Sequence, residues 1–269
     1  MLPWPFEREY MQLALLAGVV VGACAPLIGV FLVQRRLSLM GDGVGHIAFA
    51  GVAAGVLLDV WPVWTALVAA VAGSLVIERL RSRGTAQGDV ALALLFYGGI
   101  AGGVVLVSAG DGLDSGVLTY LFGQILTVEP SEVWLVAGLG AGIVVTVAVC
   151  ARALFAMAVD EEWARVAGLP VGALNAVLSV LTAVTVVVAM RVVGILLVAA
   201  LMVVPVSAAQ VLARSQRGIL TWSVGVGILS VVVGLGVARA GGLAPGGTIV
   251  LVAVAVFALV AAGERLLAR

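Results

Sequence analysis

The chain has 269 residues, of which 63% are hydrophobic and 10% charged, with a mean hydropathy of +1.26. A water-soluble domain holds roughly 45–50% apolar and about 25% charged residues, so the composition excludes one. At about 20 residues per crossing, the length accommodates roughly nine spans. Nothing is left for a separate soluble domain of ~50 residues, so 1–269 is expected to form one membrane domain, an all-α polytopic protein.

All fourteen basic residues are arginine. A phosphate-binding loop of the Walker type needs a lysine to reach the nucleotide phosphates, and Schiff-base chemistry needs one as nucleophile; the chain supports neither. The fourteen acidic residues balance the arginines and give no sign of a nucleic-acid partner. Cys24 and Cys150 lie in apolar runs and read as small core residues, not as a disulfide. Residues 1–10 carry Glu7, Arg8 and Glu9 with no basic start, so no cleavable signal is expected.

Apolar runs lie at about 11–33, 43–58, 60–78, 89–108, 133–151, 172–190, 192–213, 219–238 and 247–263. Turn or charge signals separate them: Arg35-Arg36, Asp59 to Pro62, Arg79 to Gly88, Asp111 to Gly116, Asp160 to Pro170, Arg214 to Gly218, and Gly241 to Gly247. The stretch 172–213 is too long for one helix and carries a single charge, Arg191, which is where it divides.

Arginine placement supports nine crossings. One side then receives Arg35, Arg36, Arg79, Arg81, Arg83, Arg152, Arg165, Arg214, Arg217, Arg265 and Arg269; the other receives Arg8, Arg191 and Arg239. The arginine-rich side is expected to be cytoplasmic, which puts the N-terminus outside and the C-terminus inside. Eight crossings, with 172–213 merged, would spoil the asymmetry. Gly98-Gly99, Gly102-Gly103, Gly138, Gly140 and Gly142 read as sites of close helix packing. The polar stretch 109–132 is too short to span, and Tyr120 to Gly123 is expected as a short helix at the outer interface, where aromatics settle.

Two groups carry chemistry. In Gly41-Asp42-Gly43-Val44-Gly45-His46, the only histidine of the chain lies four residues after an aspartate, so both face the same side of a helix. Carboxylate plus imidazole suits zinc or manganese. The plainer reading has Asp42 capping its helix and His46 bonded to a backbone carbonyl. Two ligands are too few for a closed zinc site, so a transient site on a passage fits better, with a second copy about a two-fold axis completing it. Asp42 follows Arg35-Arg36 closely, on the cytoplasmic side unless the segment re-enters the membrane.

The second group is Asp160-Glu161-Glu162-Trp163-Ala164-Arg165-Val166-Ala167-Gly168-Leu169-Pro170. Its acidic start, Gly stop and following Pro predict a brief helix along the cytoplasmic surface. It serves either as a solvated connection or as a docking element with an exposed Trp. Lesser signals are Asp89, an expected N-cap; Gln124; and Met202 with Pro205, Ser207 and Gln210, where the proline predicts local unwinding or a packing kink. No nucleophile–base pair suggests an intramembrane enzyme.

The chain resembles the membrane-spanning permease subunit of bacterial ABC importers for zinc and manganese. The matching segments are Gln34 to Asp42 with His46, Tyr120 to Gly123, Asp160 to Pro170, Arg191 to Gly194 continuing through Leu196 to Val198 and Pro205, and Pro245 to Val250. The family commonly has Ser before the histidine and Ala after the aspartate; Gly45 and Gly43 stand there here.

The resemblance implies eight to nine helices in the fold of the vitamin B12-type (type II) importers, and a homodimer in the bacterial plasma membrane. It implies two copies of a cytoplasmic ABC ATPase, an extracellular metal-binding protein, and no cofactor bound by this chain. The cargo would be Zn2+, or Mn2+ or Fe2+, with ATP held by the partner. Asp42 and His46 would lie on the metal path. Asp160, Glu161, Glu162, Trp163, Ala164, Arg165, Gly168 and Leu169 would form the ATPase-coupling loop. An ion-gradient-driven secondary transporter is the alternative, disfavoured by the few charges deep within the spans.

Overall fold

Where no water is at hand, long runs of Ala, Leu, Val and Gly must satisfy their backbone groups internally, and the helix is the local solution. The computed structural model describes residues 5–82, 88–110 and 115–267. Helices α1 (Glu9–Gln34), α2 (Met40–Leu57), α3 (Pro62–Ser82) and α4 (Gly88–Ala109) are followed by the short α5 (Ser115–Phe122) and a 3-10 turn (Ile125–Thr127). Then come α6 (Pro130–Val159), the short α7 (Glu161–Val166), α8 (Val171–Met190), α9 (Ile195–Leu212), α10 (Gln216–Gly241) and α11 (Pro245–Leu267). Among the described residues nine helices, all but α5 and α7, are long and apolar enough to cross a membrane. The chain breaks at Arg191 to Gly194 between α8 and α9, as the lone charge predicts.

Several expectations fall on residues outside that description: Arg83 with most of the 79–88 connection, 111–114, Arg269, and the side chain of Asp89. Of the two readings given for Pro205, local unwinding is corrected. No unwinding occurs at Pro205, because α9 runs unbroken through it. Pro205 is buried, and opening the helix there would expose further backbone groups to a dry interior. Cys24 and Cys150 are free, the first buried and the second half-buried.

Helix α2 is the centre of its half of the molecule. It runs parallel to α4, with Gly99 against the His46 backbone and Gly103 against the Phe49 ring. It runs antiparallel to α3, with Gly73 on Ile47 and Gly51 on Ala66. On its other side Gly41 meets Ala199 and Met202 of α9, and Gly45 meets Ile195 and Val186. Only some glycines expected to pack closely do so: Gly99, Gly103 and Gly140 have neighbours within 3 Å of an added methyl, whereas Gly98, Gly138 and Gly142 face open space. Glycine in a span thus marks either a helix contact or an outward face, and composition alone does not separate them.

The register also sets depth. Gly41, near the start of α2, packs against Met202, and the Met202 carbonyl also meets Gly29 of α1. Gly29 lies five residues before the end of α1, so α2 begins about 8 Å back inside the bundle. The connection Arg35 to Leu39 therefore climbs back between the helices.

Candidate functional site

Asp42 and His46 share one face of α2, with His46 Nε2 3.9 Å from Asp42 Oδ1. Asp42 does not cap the helix: the N-cap position is Leu39, without a side-chain hydrogen bond. His46 lies beside Gly99, at the midpoint of α4, and its ring meets Phe96 edge-on at 4.4 Å. His46 thus lies beside the middle of α4, while Asp42 stands in the first turn of α2. The imidazole side chain is 12% exposed and the carboxylate 30%. Asp42 opens into a cavity of about 400 Å³ lined also by Leu39, Leu92, Ala93, Phe96 and Tyr97.

A tetrahedral zinc ion with bonds of about 2.0–2.2 Å brings two ligand atoms to about 3.4 Å, so a shift of roughly half an ångström closes this pair on one ion. Manganese, with oxygen and imidazole donors, is served by the same pair. No group of three or more His, Cys, Asp or Glu side chains forms a metal cluster among the described residues. One copy thus offers two donors, which suits brief contact and not tight retention.

At the arginine-rich end, α7 forms as predicted. Asp160 Oδ1 accepts from the Trp163 N–H at 2.9 Å and caps it. Leu169 N–H donates to Ala164 O at 3.0 Å across Gly168, whose φ of +81° closes the helix in a Schellman turn. Ala164 is buried against the bundle, while Glu162 and Arg165 are exposed and Leu169 is half-buried. Trp163 is 68% exposed and Val166 86%, an apolar pair facing away from the helices.

Glu161 anchors α7 to the rest of the protein. Its carboxylate accepts from Arg35, at the end of α1, and from Asn175 Nδ2 of α8 at 3.4 Å. Arg35 Nη1 in turn donates to Asn175 Oδ1 at 2.7 Å. Burial lowers the Arg35 pKa from its ordinary value, Arg81 adds to this, and Glu161 opposes it. The guanidinium keeps its charge nonetheless. Sequence reasoning did not single out this triad, although Asn175 is the only asparagine of the chain and stands in an apolar run.

At the opposite end the expectation for Tyr120 changes. It lies in the predicted short helix but is only 7% exposed, with the Arg191 guanidinium 5.0 Å from its ring centre. An arginine that must be buried takes an aromatic face and a carboxylate as partners, which draws Tyr120 inward from the interface. Arg191 pairs with Glu132 Oε1, while Glu132 Oε2 accepts from the Glu129 N–H at 3.3 Å. Burial pushes the Tyr120 phenol up. Gln124 joins this end through its N–H, which donates to Arg191 O at 3.3 Å.

The model of the ABC 3 transport family matches residues 7–264. The manganese transport system membrane protein MntC of Halalkalibacterium halodurans is 29% identical over 251 residues, covering 93% of this chain and 86% of that one. The high-affinity zinc uptake system membrane protein ZnuB of Haemophilus influenzae is 28% identical over 228 residues, covering 84% and 87%. The solved structure of PsaBC from Streptococcus pneumoniae in complex with Fab superposes with a TM-score of 0.84 at 29% identity, covering 94% of this chain and 91% of that one.

Nine candidate spans among the described residues, a polar pair on α2 and a short helix presented at one end define a membrane permease with the fold of ABC importers. The chain belongs to the ABC 3 transport family. In such importers ATP hydrolysis is carried by a separate subunit, consistent with a chain that has no lysine. The gradient-driven alternative is set aside by this membership.

Proposed function

We propose that the chain is the homodimeric permease of an ATP-driven importer of a divalent transition metal in the bacterial plasma membrane. The observation that carries this reading is the Asp42–His46 pair, 3.9 Å apart on the first two turns of α2, with His46 beside the midpoint of α4. Ionisable side chains at such depth are costly and usually line a path or meet a partner. Zinc is the first cargo of this reading. Manganese is the second, supported by the similarity to MntC as that to ZnuB supports zinc.

The dimer follows from the flank of α2 and α4. Tyr97 is 70% exposed and Leu94 59%, next to a carboxylate that lipid would not tolerate. A second copy covering this flank brings two Asp42–His46 pairs together and raises the donor count to four. Helix α7 meets the ATPase through Trp163 and Val166, with Asp160 to Leu169 as the coupling loop. An external metal-binding protein delivers the ion, two ATPase copies drive alternating access, and the whole of 1–269 forms one permease domain. The arginine asymmetry supports an external N-terminus and a cytoplasmic C-terminus.

The test is zinc and manganese accumulation in cells lacking their own importers. The cells express this chain with its ATPase and binding protein, as wild type, Asp42→Ala and His46→Ala. Uptake by wild type that is lost in both variants at equal membrane abundance supports function and site. Uptake that persists in both removes the pair from the path. No accumulation of either metal by an assembled wild-type complex refutes the cargo.

A further inference from the structure

We propose that Arg35 is a positioning residue that ties the docking helix α7 to the start of α2, so that movement of α7 is carried to Asp42. The inference rests on the reading of α7 as the ATPase-facing element. Among the described residues, Glu161 is the one side chain of α7 hydrogen-bonded to another helix. Its partner Arg35 is buried, with 5% of its side chain exposed, and holds Asn175 with its other arm. The three side chains close a ring joining α1, α7 and α8. A guanidinium fork that bridges two acceptors fixes orientation as well as distance.

The path from Arg35 to Asp42 has little slack. Arg36 sits in the left-handed region at φ 59°. Its N–H donates to Val33 O at 3.1 Å, that of Leu37 to Leu32 O at 2.8 Å, and that of Met40 to Leu37 O at 2.9 Å. Leu37 and Met40 are buried, so both ends of the connection are seated in the core. Asp42 follows within the first turn of α2. A displacement of Glu161 therefore acts on a stiff segment that ends at the polar pair, while Asn175 on α8 gives the ring a fixed side. Arg81 and Glu78 of α3, bonded to each other at 3.1 Å, act electrostatically on the same guanidinium.

The test uses the assembled complex with its ATPase and binding protein in proteoliposomes, reading radioactive zinc or manganese transported per ATP hydrolysed. The variants are Glu161→Ala, Arg35→Gln and the double. Glu161→Ala is expected to lower the metal moved per ATP about tenfold, a ratio from which any change in ATP hydrolysis itself is divided out. The double is expected to be no worse than the single changes, since all break one link. Wild-type coupling in Glu161→Ala, or losses that multiply in the double, overturns the link. Should Arg35→Gln fail to assemble, Glu161→Ala decides alone, because Glu161 is about one-third exposed. A wild-type complex that moves neither metal refutes the function reading and this link with it; a coupled wild type with unchanged variants refutes the link only.

Discussion

Gly99 touches the backbone of His46: a methyl group on Gly99 would lie 2.6 Å from the His46 carbonyl carbon and 2.7 Å from the Ile47 nitrogen. Backbone cannot move aside as a side-chain tip can. Gly99→Ala is expected to separate α2 from α4 and cost about 1–3 kcal/mol. Its neighbour Gly98 faces open space, so Gly98→Ala is the control. Thermal unfolding in detergent should drop for the first and stay level for the second.

Gly43 and Gly45 flank the aspartate and histidine where the family commonly has Ala and Ser. An added methyl would lie 3.3 Å from Leu95 Cβ at Gly43 and 3.4 Å from Ile195 Cγ2 at Gly45. The first contact is a few tenths of an ångström tight and the second ordinary, with the Ile195 carbonyl oxygen 3.6 Å away, and removing helical glycine is worth about 0.8–1 kcal/mol. Gly43→Ala with Gly45→Ser is expected to leave stability level or raised and metal uptake intact. A loss of uptake at equal abundance would show that the space beside the pair is used.

Glu132 neutralises a buried guanidinium. The side chains of Arg191 and Glu132 are 18% and 12% exposed, so Glu132→Gln leaves a charge without its partner in a low-dielectric setting. The expected loss is about 3–5 kcal/mol, seen as a lower unfolding temperature. Replacing both residues by methionine should recover part of it.

Gly194 and Gly123 let two turns cross. Gly194 has φ +92°, and a methyl there would lie 2.4 Å from the Phe122 carbonyl carbon. Gly194→Ala combines strain with overlap and is expected to cost about 3 kcal/mol or more, with little folded protein in the membrane fraction.

Trp163 and Val166 are exposed and contribute little to the fold. Changing both to alanine should leave the permease folded. It should weaken capture of the ATPase by about 1–2 kcal/mol, roughly tenfold, measured as binding of purified ATPase to the detergent-solubilised permease. Unchanged binding would move the docking surface away from α7.

The sequence by itself determined the class, the spans, the division at Arg191, the brief helix after Asp160 and the facing of Asp42 toward His46. Each of these is local: hydropathy summed over one span, or a spacing within two turns of one helix. Tertiary structure decided how deep the pair lies, because depth follows from which turn of α4 and α9 meets α2. It chose Gly99, Gly103 and Gly140 for contact and left Gly98, Gly138 and Gly142 outside. It also gave Arg35 to Glu161 and Asn175, and Arg191 to Glu132 and Tyr120. These partners lie from 59 to 140 residues apart in the chain. A charge in an apolar sequence announces that it needs a partner; packing of the helices decides which one it finds.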